Sequence, residues 1–399
     1  MKKLFLQLLL IIPFILFGVY SYAQTDPNLV ISSYPPYWKF QQHMWQLGYH
    51  QRPQSTEIYA GIIVLMFIAS VVAVRKLSKL ALFPFFLSVV LILIFAYPAL
   101  SHDLFNYMFN AKMVTVYHAN PHQHVALEFP SDDWLRFMHN THTPAPYGYG
   151  WTVLSLLPYA FGMNKFNPTY YLFKTFMVVG LFGLFYVQKR IAVLLKEEKQ
   201  WSISRWLFFL SPLVLIETIG NAHNDVWMIA LALGSMWMAF LSLKQKKMMM
   251  WIAYAVSSLA FLAASISIKF ATIVLLPVVV ILMFSSRVKN KMIAIITRYW
   301  ADISAVLLFL PLLTERSQQF HPWYLIWSLA FVPFMQKTWL KVWILAFSLS
   351  SMFRYVPFLY YGEYTPRELQ QELLITWAGG IGVFVVWGLV RKFSVASHK

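Results

Sequence analysis

Polar side chains that could perform chemistry occur in short clusters, and each cluster lies at the end of a strongly apolar segment. Three follow the apolar run that ends at residue 100, five lie in the segment ETIGNAHND, and four stand in later boundary segments. In chain order they are His102, Asp103 and Tyr107; Glu217, Asn221, His223, Asn224 and Asp225; Lys269; His321 and Tyr324; and Arg354. Ionisable groups beside membrane segments are costly, and they usually mark function.

These residue types fit the transfer of a group from a phosphate. A carboxylate such as Asp103 can deprotonate an acceptor hydroxyl, and nearby cations can stabilise the departing phosphate. Lys269 could bind that phosphate as a point charge. A location at the membrane implies that at least one substrate is a lipid.

Each cluster also has an ordinary structural explanation. Asp103 could occupy the first turn of a helix that Ser101 caps, and Asn224 or Asp225 could cap the next helix. Lys269 could extend to the lipid headgroups, and Tyr324 could be an interfacial anchor. Glu217 is harder to explain in this way, because it lies within an apolar run and needs a partner.

Composition determines the fold class. The 399 residues are 59% hydrophobic and 12% charged, whereas soluble domains carry about 25% charged residues. We predict one all-α polytopic membrane domain over residues 1–399, with about 11–13 transmembrane helices and a large outer loop that contains interfacial helices. The candidate spans are residues 4–22, 58–74, 80–100, 151–162, 170–187, 206–219, 226–243, 251–268, 271–284, 301–313, 323–334, 339–352 and 373–390.

Basic residues predict the orientation of these spans. The chain has 32 Lys and Arg against 15 Asp and Glu, and the basic residues cluster in short loops, as the positive-inside rule requires. We therefore expect a lipid bilayer, and no nucleic acid, as the partner of the basic residues. The segments predicted on the outer side are residues 24–57, 101–150, 220–225, 314–322 and 353–372.

Two points of topology stay open. Residues 1–23 fit either a signal peptide or a first transmembrane helix. An odd number of crossings should separate residue 101 from the basic stretch at residue 189, but two candidate spans lie between them. Either 151–162 is a half-span or interfacial helix, or residues 191–195 conceal another crossing.

The outer loop 101–150 begins with a sequence typical of a surface helix. Phe105, Tyr107 and Phe109, with Met108 and Met113, predict an amphipathic helix that lies along the membrane surface.

The chain has no cysteine, which excludes disulfides and thiolate metal sites. We find no nucleotide-binding or metal-binding motif, so no cofactor and no metal are predicted.

Five segments in order resemble a known family. They are the aspartate after a span with its later Asn-Pro turn, YGYGWTVLSLLP, SPLVLIETIGNAHNDVWMIALAL, KFATIVLLP and HPWYLIW. Over about residues 80–335 the chain resembles the GT-C superfamily of integral-membrane glycosyltransferases, in particular bacterial polyprenol-phosphate-mannose-dependent α-mannosyltransferases.

This resemblance implies a polyprenyl-phosphate sugar donor, a glycan or glycolipid acceptor of the cell envelope, and an active site on the outer face of the bacterial cytoplasmic membrane. It implies that Asp103 is the general base of a single inverting displacement. It also implies that Asn221, His223, Asn224 and Asp225 line the site, and that His321 and Lys269 lie near the donor phosphate.

Two other interpretations remain at this stage. A transporter or flippase of lipid-linked sugars would also place charged residues near broken helices. An oligosaccharide ligase would use a diphosphate-linked donor. The absence of a sequence repeat and the concentration of polar groups on one side favour the transferase.

Overall fold

The structure, a computed structural model, describes residues 2–29, 31–285, 287–288, 290–314 and 319–396. Within these ranges the regular structure is entirely helical, which confirms the predicted all-α class. The first ten α-helices are α1 (Lys2–Tyr20), α2 (Pro35–Trp45), α3 (Arg52–Lys76), α4 (Lys79–Ile94), α5 (Asp103–Thr115), α6 (Tyr149–Gly162), α7 (Phe166–Leu195), α8 (Glu198–Ser204), α9 (Trp206–Phe209) and α10 (Pro212–Leu215). The basic loop around residue 289 and the outer segment 314–322 fall partly outside the described residues.

A π-helix, Ile216–Gly220, follows α10, and the remaining helices extend to the end of the described chain. They are α11 (Asp225–Leu243), α12 (Met248–Ile268), α13 (Leu276–Phe284), α14 (Lys291–Arg298), α15 (Trp300–Phe309), α16 (Leu325–Leu329), α17 (Thr338–Met352), α18 (Val356–Tyr361) and α19 (Pro366–Ala396). Helix α11 packs against both α7 and α12, and α17 packs against α19.

Seven helical segments of the described chain are long and apolar enough to cross a membrane. They are Phe5–Gln24, Arg52–Lys76, Phe166–Leu195, Asp225–Leu243, Met248–Ile268, Thr338–Tyr361 and Pro366–Lys392. Two further pairs, Glu198–Phe209 with Pro212–Gly220 and Lys291–Arg298 with Trp300–Leu313, are bent by 62° and 77°. The shorter apolar helices Leu80–Ile94 and Phe270–Phe284 also coincide with predicted spans. The chain is a multi-pass membrane protein.

Two predicted spans are wrong. Residues 151–162 belong to α6, whose 14 residues are too few for a full crossing. Residues 323–334 contain the end of the 3₁₀ helix Pro322–Tyr324, the 5-residue helix α16 and turns. In α16 and the turns after it the apolar residues pack inside the protein, and hydrophobicity alone does not distinguish that environment from lipid. Helix α6 differs, because Val153, Leu157 and Phe161 form an exposed apolar face on a helix that is too short to cross.

The open question between residues 101 and 189 is resolved by α7. This helix is continuous for 30 residues, so residues 191–195 form its last turns and not a separate crossing. With α6 too short, α7 is the one full-length span between the two loops within the described chain. A single full-length span between the two loops agrees with the opposite sides that the basic residues predict for them.

The predicted surface helix is also wrong. Helix α5 forms where expected, but every residue from Leu104 to Met113 is buried. Its polar residues have partners in the loop that follows: Lys112 Nζ lies 2.6 Å from Asp132 Oδ2, and Asn106 accepts a hydrogen bond from the backbone of His139. Because this loop supplies partners for the polar face of α5, the helix lies beneath it and not on the membrane surface.

Close backbone contacts hold the start of α6 against the end of α12. A Cβ atom at Gly148 would lie 2.0 Å from the carbonyl oxygen of Ser267. The Gly148 amide donates to the Ile268 carbonyl over 2.9 Å. Glycine is needed there because any side chain would collide with backbone. The contact places Tyr147 beside Lys269, whose Nζ lies 5.9 Å from the ring centroid.

Candidate active site

The polar residues from distant parts of the sequence meet at the ends of broken helices. Asp103 begins α5, and His223 lies in the four-residue break between the π-helix and α11. Asp103 Oδ2 lies 3.3 Å from His223 Nδ1 and accepts a hydrogen bond from the Tyr107 hydroxyl over 3.2 Å. The two chain segments are also joined by the Leu100 amide, which donates to Asn221.

His223 lies between two carboxylates. Its Nε2 atom is 3.3 Å from Glu217 Oε2, on the side opposite Asp103. Glu217 also accepts hydrogen bonds from Asn221 over 2.9 Å and from the Tyr355 hydroxyl over 2.8 Å. Glu217 therefore has the partners that its apolar surroundings require. We refer to Asp103, His223 and Glu217 as the triad.

The charges of the triad stabilise one another. Burial alone would lower the pKa of His223, but the carboxylates of Asp103 and Glu217 outweigh it and raise the pKa to about 9. Burial alone would raise the pKa of Asp103, but the contact with positively charged His223, with smaller effects of Lys269 and Tyr147, holds that pKa well below its usual range. At neutral pH His223 is therefore an imidazolium and Asp103 is a carboxylate.

A second ionic pair borders the triad. Lys269 Nζ lies 2.7 Å from Asp225 Oδ2, and the indole of Trp327 donates to Asp225 Oδ1 over 2.5 Å. Asp225 is fully buried, whereas the Lys269 side chain is 15% exposed. Lys269 thus does not simply extend to the headgroups, because a buried carboxylate balances its charge.

Aromatic rings connect the triad to the HPWY segment. The Trp323 ring stacks on His223 at a centroid distance of 3.9 Å and on His321 at 4.3 Å. Burial, together with the positive charges of Arg354, His223 and Lys269, lowers the pKa of His321 to about 3 against the opposing effect of Asp103. His321 is therefore neutral at pH 7, close to several charges.

Most of the predicted site residues converge, and the remaining ones have other contacts. His102 stacks on His139 of the loop, with ring centroids 3.7 Å apart. Tyr324 lies over Lys269 and beside Trp327. The side-chain amide of Asn224 is buried without a hydrogen-bond partner among the described residues. Asn224 precedes α11, but its side chain forms no capping hydrogen bond.

Several contributors were not predicted from the sequence. They are Tyr147, Trp327, Tyr355 and Lys174, together with Trp323, which the sequence explains equally well as an interfacial anchor. Lys174 lies fully buried in α7 and donates to the carbonyls of Ala96 and Gly220, just before the two segments that carry Asp103 and His223. A lysine within an apolar span was a signal that could have identified it.

The cluster is not arranged like a metal site. Within the described residues, no three His, Asp or Glu side chains are grouped so that they could hold a metal ion. The chemistry that the site offers is that of an ionised carboxylate, a neighbouring imidazolium and nearby cationic side chains.

Comparison with known proteins identifies the family. The model of the MptA_B family, described as alpha-(1->6)-mannopyranosyltransferase, N-terminal domain, matches residues 28–285, which is more than half of the chain. No curated protein and no solved structure matches the chain. The matched region contains Asp103, the whole ETIGNAHND segment and Lys269. The chain therefore belongs to the alpha-(1->6)-mannopyranosyltransferase family and is a multi-pass membrane glycosyltransferase of the mannosyltransferase type.

Proposed function

We propose that the protein transfers mannose from a polyprenyl-phosphate carrier to a hydroxyl group of an envelope glycan or lipid-linked acceptor. The family supports mannosyl transfer, and the helices of the membrane domain would keep a polyprenyl chain beside the site. We further propose a GT-C-type enzyme of the bacterial cytoplasmic membrane with its site on the outer face. The clustering of basic residues in the opposite loops supports that orientation.

The observation that carries the proposal is the exposure of one carboxylate. The Asp103 side chain is 20% exposed, whereas those of Glu217 and Asp225 are fully buried. Among the acids of this cluster, Asp103 is thus the one that an acceptor hydroxyl can reach. The low pKa of Asp103 keeps it ionised, as a general base must be at neutral pH.

The reaction is a single displacement. The acceptor oxygen attacks C1 of the mannose while its proton passes to Asp103. The bond between C1 and the phosphate oxygen breaks, and its electron pair leaves with the polyprenyl phosphate. A double displacement would need a second carboxylate that reaches the sugar carbon, and both other acids of the cluster are buried and paired. Inversion at C1 gives an α linkage from a β-linked donor.

The other members of the triad position Asp103 and keep it ionised. His223 places a positive charge 3.3 Å from Asp103, and Glu217 in turn balances and orients His223. Lys269 and His321 lie near the proposed donor phosphate, with Asn221, Asn224, Asp225, Tyr107 and Tyr324 around them. Lys269 acts from within its pair with Asp225.

The test is a transfer assay with protein purified in detergent. The donor is a synthetic polyprenyl β-phosphomannose, and the acceptor is an alkyl α-mannoside. We expect mannose to be transferred to the acceptor, and mass spectrometry detects the product. Asp103→Asn should retain the fold and lower the rate by a factor of about 10²–10⁴, the usual contribution of a general base. Asp133→Asn changes an exposed acid of the same loop and should leave the rate unchanged.

The same assay separates the alternatives. Undiminished turnover by Asp103→Asn would eliminate Asp103 as the base. Transfer from a diphosphate-linked donor, but not from the monophosphate, would indicate an oligosaccharide ligase. A transporter would show no transfer in detergent, where no membrane gradient exists.

A further inference from the structure

Arg354 has a hydrogen-bonding capacity that its protein partners do not use. It lies in the short 3₁₀ turn Phe353–Tyr355 that follows α17, and it is 4% exposed. Its Nη2 atom is 2.7 Å from Glu372 Oε2 of α19. Its Nη1 atom is buried and has no hydrogen-bond partner among the described residues. A buried charged donor without a protein partner is costly, and a hydrogen bond to a ligand oxygen would satisfy it.

The location of Arg354 connects it to the active site. The adjacent residue, Tyr355, donates its hydroxyl hydrogen to Glu217 of the triad. The positive charge of Arg354 also acts on His321, together with the charges of His223, Lys269 and Asp103. Arg354 therefore lies beside the cluster, although it falls outside residues 28–285, which the family model matches.

The other cationic candidates near the site are already balanced by carboxylates or are neutral. Lys269 is paired with the fully buried Asp225, and His321 is neutral at pH 7. His223 is enclosed by Asp103 and Glu217. Arg354 is also paired, but a guanidinium presents two amino groups in a fixed planar fork. One can stay on Glu372 while the other binds a phosphate oxygen.

We propose that Arg354 binds the phosphate of the lipid donor, with Nη1 donating to a non-bridging oxygen and Glu372 holding the guanidinium in place. This inference rests on the proposed polyprenyl-phosphate donor. The phosphate gains negative charge as its bond to the sugar breaks, so the same contact stabilises the leaving group. It also predicts that the released lipid monophosphate binds more tightly than the donor diester.

The experiment measures lipid binding without any sugar transfer. Two probes with the same tail, a polyprenyl phosphate and the corresponding polyprenyl alcohol, are titrated into purified protein in detergent. The variants are Arg354→Met with Glu372→Gln, Arg354→Lys, and Glu372→Gln alone. The double variant removes both charges together, so no buried charge is left without a partner. Thermal unfolding of each variant monitors folding.

We expect the wild-type protein to prefer the phosphate over the alcohol. The double variant should bind the phosphate about 10- to 100-fold more weakly, as loss of a charge-assisted hydrogen bond implies, and bind the alcohol as before. Arg354→Lys should be intermediate, since it keeps the charge and loses the fork. Glu372→Gln should bind the phosphate at least as tightly as the wild type.

The outcomes distinguish this inference from the proposed function. If the wild-type protein does not prefer the phosphate, both the proposed donor and the role of Arg354 fail. If it does prefer the phosphate and the double variant binds it equally well, the donor stands and the role of Arg354 is overturned. If the double variant does not fold, unchanged phosphate binding by Arg354→Lys overturns the inference instead.

Discussion

Helix α5 has a buried ionic group near each end, and the two differ in what they leave accessible. At its start, Asp103 contacts His223 and accepts from Tyr107, and its side chain remains 20% exposed. Near its end, Lys112 pairs with Asp132, which also accepts hydrogen bonds from the Tyr117 hydroxyl and the Trp134 amide. Asp132 is almost completely buried. One carboxylate is open to a substrate, and the other is occupied by its protein partners.

The comparison shows how the proposed catalytic carboxylate differs from a structural one in the same loop. Burial and a cationic neighbour are common to both carboxylates, so neither property is diagnostic. Accessibility separates them, and so does the nature of the neighbour. Lys112 links α5 to the loop that covers it, whereas His223 links α5 to a broken span that carries other candidate residues.

The histidine beside Asp103 and the carboxylate Asp132 should change the stability of the protein with pH in opposite directions. His223 has a raised pKa, so its contribution is complete below its unfolded pKa of about 6.5 and is lost as the pH rises through about 9. Hydrogen bonds from Lys112 and Trp134 lower the pKa of Asp132 against the opposing effect of burial. The contribution of Asp132 is therefore present above its unfolded pKa and is lost as the pH falls through the lower folded value.

The largest effect on stability should come from breaking the structural pair. Lys112→Met leaves Asp132 as a buried charge without its cation, which costs about 3–5 kcal/mol in the free energy of unfolding. We expect a lower thermal unfolding midpoint and faster proteolysis within loop 101–150. Lys112→Met with Asp132→Asn removes both charges and should recover part of the loss. Equal melting of Lys112→Met and the wild type would contradict a structural role.

The second-largest effect should be a loss of stability at alkaline pH, which arises from the triad. Between pH 6.5 and 9.5 the wild-type protein should lose about 2–3 kcal/mol of stability as His223 loses its proton. His223→Gln cannot titrate, so its unfolding midpoint should change less over this interval. The measurement is thermal unfolding in detergent as a function of pH. Parallel pH profiles for the two proteins would show that His223 is not the positive charge that supports Asp103.

The smallest effect is expected at an exposed pair of the same loop. His124 Nδ1 lies 2.8 Å from Glu128 Oε2, but both side chains are almost half exposed to solvent. Such pairs contribute little, because water screens them and ordering the side chains costs entropy. His124→Ala should leave the unfolding midpoint and the transfer rate within experimental scatter. A clear loss of either would mean that proximity, and not burial, sets the importance of these ionic contacts.

Much of the fold could be predicted from the sequence because a helix that crosses the lipid bilayer needs a long run of apolar residues. Eleven of the predicted spans coincide with apolar helices or bent helix pairs of the described chain. Two errors occurred where apolar residues pack within the protein: α5 was expected on the membrane surface, and residues 323–334 were expected to cross. Residues 151–162 were also expected to cross, but α6 has an exposed apolar face and is too short for a full crossing. Hydropathy measures the tendency to leave water and does not specify which apolar neighbour replaces it.

The residue types of the candidate site were also predictable, but their pairings were not. Polar residues are so rare in this chain that Asp103, Glu217, His223 and Lys269 were conspicuous beside apolar runs. Which acid faces a substrate, and which acid balances Lys269, depends on contacts between residues that are far apart in the sequence, such as Asp103 and His223, which are 120 positions apart. Aromatic contributors such as Tyr355 could not be distinguished among the 22 tyrosines.

The sequence by itself thus determined a polytopic helical membrane protein with a resemblance to mannosyltransferases and a short inventory of chemically capable residues. The tertiary structure alone decided that His223 lies between Asp103 and Glu217 and that Lys269 is balanced by Asp225. It also decided that one buried amino group of Arg354 has no partner in the part of the chain that the structure describes. The physical reason is that hydrophobicity and charge are properties of single residues. Accessibility, charge balance and pKa belong to the arrangement of residues in space, so they appear only when the helices have packed.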